Sequence, residues 1–275
     1  MQIKSMELNK ASRFIAVGSG KGGVGKTTIT VNLCLELSRL GHKVLVIDGD
    51  LGLANVCISL GLDPEFTLEH YFSNQRRLEE IVIRGAYGLE ILPGTSGSHH
   101  LTQLSEEQKH NFILDLQALG KDRDYVFVDM AAGLGSQVTF FSRLCPELIL
   151  VTTPEPTAMG DAYGLFKVLQ EASLKPQVWL IVNRTHSAWE ARSVENKLRM
   201  AVRKFLGAHL DYLGYLPQDQ AVMDSSRKQK PFVYEFPNAK ASQNLFTVLY
   251  RLEGNELAAS RNEGLWDKVL QFIHS

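Results

Sequence analysis

The chain has 275 residues, 44% of them hydrophobic, and a formal net charge of −1. That is ample for one packed domain of ordinary to large size, and the near-neutral total supplies no overall electrostatic pull toward nucleic acid, a local patch aside. The three cysteines, Cys34, Cys57 and Cys145, lack metal-ligand or redox spacing, and no apolar run reaches bilayer-spanning length, which together read as a soluble, cytosolic protein with reduced thiols.

Met1 to Arg13 is polar and mixed and reads as a short mobile extension (1–13). Phe14-Ile15-Ala16-Val17 is an apolar strand-like run. It is followed by Gly20-Lys21-Gly22-Gly23-Val24-Gly25-Lys26-Thr27 and then by a helix-like segment from Thr28 to Leu40. Strand, glycine-rich loop and helix in that order form the setting of a phosphate-binding P-loop. Gly20, Gly22, Gly23 and Gly25 let consecutive backbone N–H groups turn inward, with Val24 between them, and the helix N-terminus at Thr27 and Thr28 adds its positive dipole end. Lys26 is the residue to reach the β- and γ-phosphates of a nucleotide, and the Thr27 hydroxyl the group to ligate Mg²⁺.

Gly41 is placed to end that helix, and Val44-Leu45-Val46-Ile47 reads as a parallel strand buried on both faces. Asp48 and Asp50 follow at its C-terminal edge, where α/β sheets bind ligands, and paired acids there suit a Mg²⁺–phosphate site. Thr67 to Phe72 looks like a short helix and Leu89-Glu90-Ile91-Leu92 like a strand. His99-His100 has no third ligand at useful spacing and reads as a loop. Ser105-Glu106-Glu107-Gln108 is a capping box for a helix to about Leu119. Tyr125-Val126-Phe127-Val128 is another buried strand, ending at Asp129 with Gly133 four residues on. This is the Walker B and switch II pattern, with Asp129 as a Mg²⁺ group and the Gly133 N–H facing the γ-phosphate. Further strands read at Leu148 to Thr152, Val178 to Val182 and Tyr212 to Leu216, and a helix from Ala158 to Ala172 capped by Thr157. Strands alternating with helices predict a doubly wound, mostly parallel sheet flanked by helices, the P-loop NTPase fold, in one domain over 14–253.

The last segment, 254–275, reads as a linker and an amphipathic helix. Leu265, Trp266, Val269, Leu270, Phe272 and Ile273 share one broad face and Asp267, Lys268 and Gln271 lie opposite. Such a face fits a bilayer interface or a groove on its own domain.

Lysine directly after the first glycine is not a general P-loop requirement. Lys21 to Thr27 resembles the deviant Walker A loop of the MinD/ParA ATPases. That resemblance implies a homodimer with ATP and Mg²⁺ sandwiched between two chains, Lys21 contacting the partner's phosphates. It also implies that Asp50 positions the attacking water, with Asp48 in the Mg²⁺ shell. Asn183 would contact the adenine ring and Arg184 stack on it, and the backbone around Pro217 and Asp219 would grip the purine. Asp50 to Val56, Glu155-Pro156-Thr157, Asn183 to Ser187 and Arg227 to Phe232 are most similar to the flagellar-number regulators, the FlhG or FleN branch of that family. This implies a reversible peripheral attachment to the inner face of the cytoplasmic membrane. The implied partners are the flagellar GTPase FlhF, flagellar switch or C-ring proteins, or a flagellar transcription activator. In that branch the N-terminal extension can carry a segment that acts on the GTPase, and no recognisable form of it stands here. A ParA-type DNA-segregation ATPase is the rival reading, and predicts a basic surface stripe. An iron–sulfur carrier or nitrogenase-type reductase would need an interface cysteine pair, which Cys145 beside Pro146 does not offer.

Overall fold

The computed structural model describes residues 12–50, 54–95 and 104–254. The expected C-terminal helix, His99-His100 and most of the N-terminal extension therefore lie outside the described residues. Eight strands form one sheet in the order β3-β4-β2-β5-β1-β6-β7-β8. They are β1 (Arg13–Gly18), β2 (Val44–Gly49), β3 (Ile83–Arg84), β4 (Glu90–Leu92), β5 (Tyr125–Met130), β6 (Glu147–Thr152), β7 (Gln177–Thr185) and β8 (Asp211–Pro217). All neighbours pair in parallel except β3 with β4, which is antiparallel.

The expected strands are all present within a residue or a few, and β3 is an addition. It is a two-residue edge strand, too short to carry a readable period. The P-loop strand β1 sits between β5 and β6. Alternation sorts the side chains of these central strands between two cores. Ile15, Val17, Val44, Val46 and Phe127 face one, and Ala16, Leu45, Ile47, Val126 and Val128 face the other.

The first core is covered by α1 (Lys26–Arg39) and α11 (Lys240–Leu252), with the short α2 (Val56–Ser59) and α10 (Phe232–Glu235) beside them. The second is covered by α5 (Glu106–Gly120), α6 (Ser136–Ser142), α7 (Pro156–Glu171) and α8 (Ala188–Leu206), with the short α3 (Leu68–Phe72) and α4 (Leu78–Ile81). The remaining helix, α9 (Gln220–Arg227), joins β8 to α10. Gly41 ends α1 as expected: it adopts φ 94°, and the His42 N–H reaches back to the Leu37 carbonyl at 3.1 Å. The capping box at Ser105 is also formed, Gln108 N–H donating to Ser105 Oγ at 3.1 Å and Ser105 N–H to Gln108 Oε1 at 2.9 Å. One cap differs from the reading. The cap of α7 is Glu155 with Pro156 at the first turn, not Thr157, because proline's fixed φ starts the helix there and leaves Thr157 inside it.

Candidate nucleotide site

The register of the sheet builds the centre of the site. Asp48 pairs with Asp129 across β2 and β5, and Val17 at the end of β1 pairs with the same Asp129. Two acids predicted from separate strand ends thus stand side by side at one sheet edge, beside the loop that leaves β1. That loop turns through Gly23 at φ 74° and Gly25 at φ 96°, conformations an L side chain rarely adopts. Gly20 and Gly25 are needed for space as well. A Cβ on Gly20 would run into the Asp161 carbonyl of α7, and one on Gly25 into the Asn183 side-chain amide.

Lys26 opens α1 one residue earlier than the sequence suggests, and it is buried at 8% exposure. Asp48 and Asp129 are buried too, at 0% and 1%. Thr27 Oγ1 donates to Asp129 Oδ2 at 2.5 Å, and Thr30, one turn on, donates to Oδ1 at 3.1 Å. Asp48 accepts the Val56 N–H at 2.9 Å on Oδ2 and the Asp50 N–H at 3.3 Å on Oδ1, so it also shapes the turn carrying Asp50. Asp50 itself is half-buried at the rim.

The electrostatics follow from this crowding. Burial, and then the neighbouring Asp129 charge, push the Asp48 carboxyl up to about 8. Burial pushes Asp129 to about 6 against the pull of the Thr27 hydroxyl and the Lys26 charge. Burial lowers the Lys26 ammonium while Asp129 and Asp50 draw it back up. When Asp48 ionises beside Asp129, two buried carboxylates face one buried ammonium, and a divalent cation supplies the positive charge that this state lacks. Among the described residues no three His, Cys, Asp or Glu side chains gather to hold a metal. A cation here would therefore lean on Asp129, Asp48, the Thr27 hydroxyl and the phosphates of a nucleotide, which is how Mg²⁺ is commonly held. The residues fit the ion.

Lys21 Nζ bonds within its own chain, to Glu155 Oε2 at 2.5 Å and Thr157 Oγ1 at 3.0 Å. Ser19 Oγ donates to the Lys21 carbonyl at 2.7 Å and fixes that turn. Gly22 and Val24 complete the loop, Val24 buried and Gly22 exposed, and Thr28 is half-buried in the first turn of α1. Gly133 adopts φ 104°, and its N–H, expected to face a phosphate, donates to the Ser19 carbonyl at 3.0 Å. Asn183 lies at the end of β7, within reach of the loop. Its Nδ2 donates to the Val24 carbonyl at 2.7 Å and its Oδ1 accepts the Arg184 N–H at 2.9 Å. Arg184 is exposed with φ 55°. The Asp219 carboxylate caps two helices, accepting from Ala221 N–H at 3.0 Å and Ala241 N–H at 3.1 Å. Asp219 and Pro217 thus have backbone, rather than the Asp219 side chain, to offer a base. Sequence reasoning missed Thr30, Glu155 and Asp161. A threonine three residues past Thr27 was a usable signal for the first, while the other two depend on how α7 packs against the loop.

A glycine loop joining a central parallel strand to a helix, with lysine and threonine at the turn and acids on the two neighbouring strand ends, defines a P-loop nucleotide-binding protein. Within that class the chain belongs to the CobQ/CobB/MinD/ParA nucleotide-binding domain family, whose model matches residues 15–232. It is 36% identical over 258 residues to the antiactivator FleN of Pseudomonas aeruginosa, covering 94% of this chain and 92% of that protein. It is 32% identical over 244 residues to the flagellum site-determining protein YlxH of Helicobacter pylori, covering 88% and 82%. Among solved structures, the septum site-determining protein MinD of Pyrococcus horikoshii, complexed with Mg-ADP, superposes with a TM-score of 0.75 at 26% identity, covering 92% of this chain and 99% of that one.

Proposed function

We propose that this protein is a Mg²⁺-dependent ATPase that dimerises on ATP, attaches reversibly to the inner face of the cytoplasmic membrane and regulates flagellar number or placement. The observation that carries the catalytic part is the buried cluster of Lys26, Asp48 and Asp129 at the mouth of the P-loop. Lys26 and the loop N–H groups hold the phosphates, and Thr27, Asp129 and Asp48 hold the ion. Mg²⁺ bound there would supply the positive charge that the transferred phosphoryl group calls for. Asp50, tethered through its N–H to Asp48, orients the attacking water. Lys21 exchanges Glu155 for phosphate across the dimer, and the Gly133 N–H exchanges the Ser19 carbonyl for a phosphate oxygen. Positioning and charge neutralisation supply most of the rate in this chemistry, so each of these contacts is a catalytic lever.

The flagellar part is supported by the likeness to FleN and YlxH over nearly the whole chain. FlhF, switch or C-ring proteins and a flagellar transcription activator are the partners it suggests. The membrane part is supported by the apolar face from Leu265 to Ile273 in the sequence. No helix among the described residues is long and apolar enough to cross a bilayer. Two copies of a weakly binding tail in one dimer would gain from avidity, making attachment depend on ATP.

Light scattering with ATP or ADP tests the dimer, and liposome co-sedimentation of the full chain and of the chain cut after Glu253 tests the tail. Asp50→Ala should keep ATP bound, accumulate as dimer and lose at least about a hundredfold in turnover. Normal turnover by that variant removes Asp50 from its role. Pelleting that ignores nucleotide or survives truncation removes the membrane switch. Unchanged flagellar counts on deleting the gene remove the flagellar role.

A further inference from the structure

Helix α8 presents a face to solvent that nothing in the nucleotide site uses. Trp189, Asn196 and Met200 fall on one side of this helix by their spacing, opposite the buried Ala191, Val194, Leu198 and Val202. Trp189 is 79% exposed and Met200 70%. Single exposed apolar residues are ordinary, but here two large ones are framed by charge. Arg192, Arg199 and Arg203 run along one flank, and Lys197 and Lys204 along the other. The helix thus carries five basic residues against two acidic ones, in a chain whose net charge is −1.

One of those two acids serves the basic row. Glu195 is buried at 2% exposure and draws in Arg199 at 2.9 Å and Arg192 at 3.6 Å. Arg192 also stacks over the Tyr212 ring at 4.3 Å. Arg199 also donates to Asn196 Oδ1 at 2.8 Å, so both half-exposed guanidiniums have partners within the chain before any ligand arrives, which lowers the ordering cost of binding.

We infer that this face of α8 is a docking surface for an acidic amphipathic helix of a partner protein. The apolar centre is what selects a protein. Trp, Met and Arg are the residue types enriched in protein interfaces, and a tryptophan and a methionine ringed by charge repeat their anatomy of apolar core and polar rim. On duplex DNA the central line of the face would instead need polar or cationic groups, since phosphates offer Met200 nothing. Two apolar side chains are also too little buried area to hold a bilayer. The partner's carboxylates would meet the arginine and lysine rows while its apolar stripe covers Trp189 and Met200. Because α8 follows directly on Asn183 and Arg184, a partner seated at its N-terminal end sits a few residues from the expected base-binding loop. The inference rests on the helix alone and stands apart from the flagellar reading.

The test uses the full chain with a labelled acidic helix of about twenty residues, its Leu and Phe on one face, and a scrambled peptide of the same composition. Duplex DNA of about twenty base pairs and phosphatidylglycerol vesicles are the remaining probes. The patterned peptide should bind with a Kd of about 100 µM or tighter, at least about tenfold better than the scrambled one. Trp189→Ala with Met200→Ala should weaken it at least about tenfold, and Arg203→Glu with Lys204→Glu should do the same. ATP turnover should be unchanged in both variants, and so should the melting temperature of the Trp189→Ala, Met200→Ala variant; the charge reversal takes two cations from the last turn of α8 and should lower its melting temperature slightly. Equal binding of the scrambled peptide, or no peptide binding, overturns the inference. So does DNA or vesicle binding that exceeds the peptide's and falls in the same variants. Peptide binding that appears only when the chain is cut after Glu253 assigns the face to the chain's own tail instead, and also overturns it.

Discussion

The two ends of the central parallel strands bury charge in opposite ways. At the C-terminal edge Asp48 and Asp129 stand next to each other with Lys26, and burial raises both carboxyls. At the N-terminal edge Arg13 of β1 forks onto Glu147 of β6, at 2.8 Å to Oε1 and 2.6 Å to Oε2. Trp179 of β7 donates to the same carboxylate at 3.0 Å, and a further Arg13 N–H reaches the Leu252 carbonyl at the end of α11 at 2.8 Å. One end is a closed network in which every charge meets its opposite, and it stitches three strands and a helix together. The other concentrates like charge at the mouth of a glycine loop, and only a cation and a phosphate chain complete it. Stability resides in the first and ligand binding in the second.

Substitutions at the two ends should therefore separate. The largest effect is expected from Lys26→Ala, which removes the only buried ammonium facing Asp48 and Asp129 among the described residues. Calorimetric titration should show ATP affinity lower by about a hundredfold or more, with the fold retained. Next comes Glu147→Ala, which strands a half-buried guanidinium. Denaturant unfolding should report a loss of about 2–3 kcal/mol, with ATP affinity nearly untouched. A large affinity loss in this variant would break the comparison.

A carboxyl raised above its unfolded value takes up protons preferentially in the folded state, so its contribution to stability is present at low pH and is lost as pH rises. For Asp48 that window runs from about 4, the unfolded value, to about 8 in the fold. Ligand-free protein should therefore lose about 1–3 kcal/mol from this site between pH 5 and pH 8. Asp48→Asn should flatten that slope in thermal melts, and saturating Mg²⁺ and ATP should reverse it in the parent chain. The smallest effect is expected from Ser105→Ala, remote from both edges. Loss of the α5 cap should lower stability by about 1 kcal/mol and leave turnover alone.

The loop Gly20 to Thr27 and the acids at Asp48 and Asp129 were legible because each stands where a local rule applies. Glycines mark the turn, and β-branched runs mark buried strands whose C-terminal ends are the ligand edge. The same locality explains what escaped. Thr157 looks like a cap beside Pro156, yet proline begins the helix earlier and frees the Thr157 hydroxyl to accept from Lys21. Asp219 reads as part of a base-binding loop, but its carboxylate is committed to two helix N-termini, one of them twenty-two residues on. Arg13 reads as the end of a polar extension, and its partner Glu147 is on a strand that reaches it only through sheet order.

By itself, then, the amino-acid sequence determined the phosphate loop, the alternation of strands and helices, and which acids end up at the ligand edge. These follow from backbone freedom at glycine and from the period of apolar residues, both readable within a few positions. Only the tertiary structure decided that Asp48 and Asp129 lie in register, that Lys21 rests on Glu155, and that Glu195 sets out two arginines on an open helix face. Those contacts depend on strand order and helix packing, which join residues far apart in the chain and leave no local trace in it.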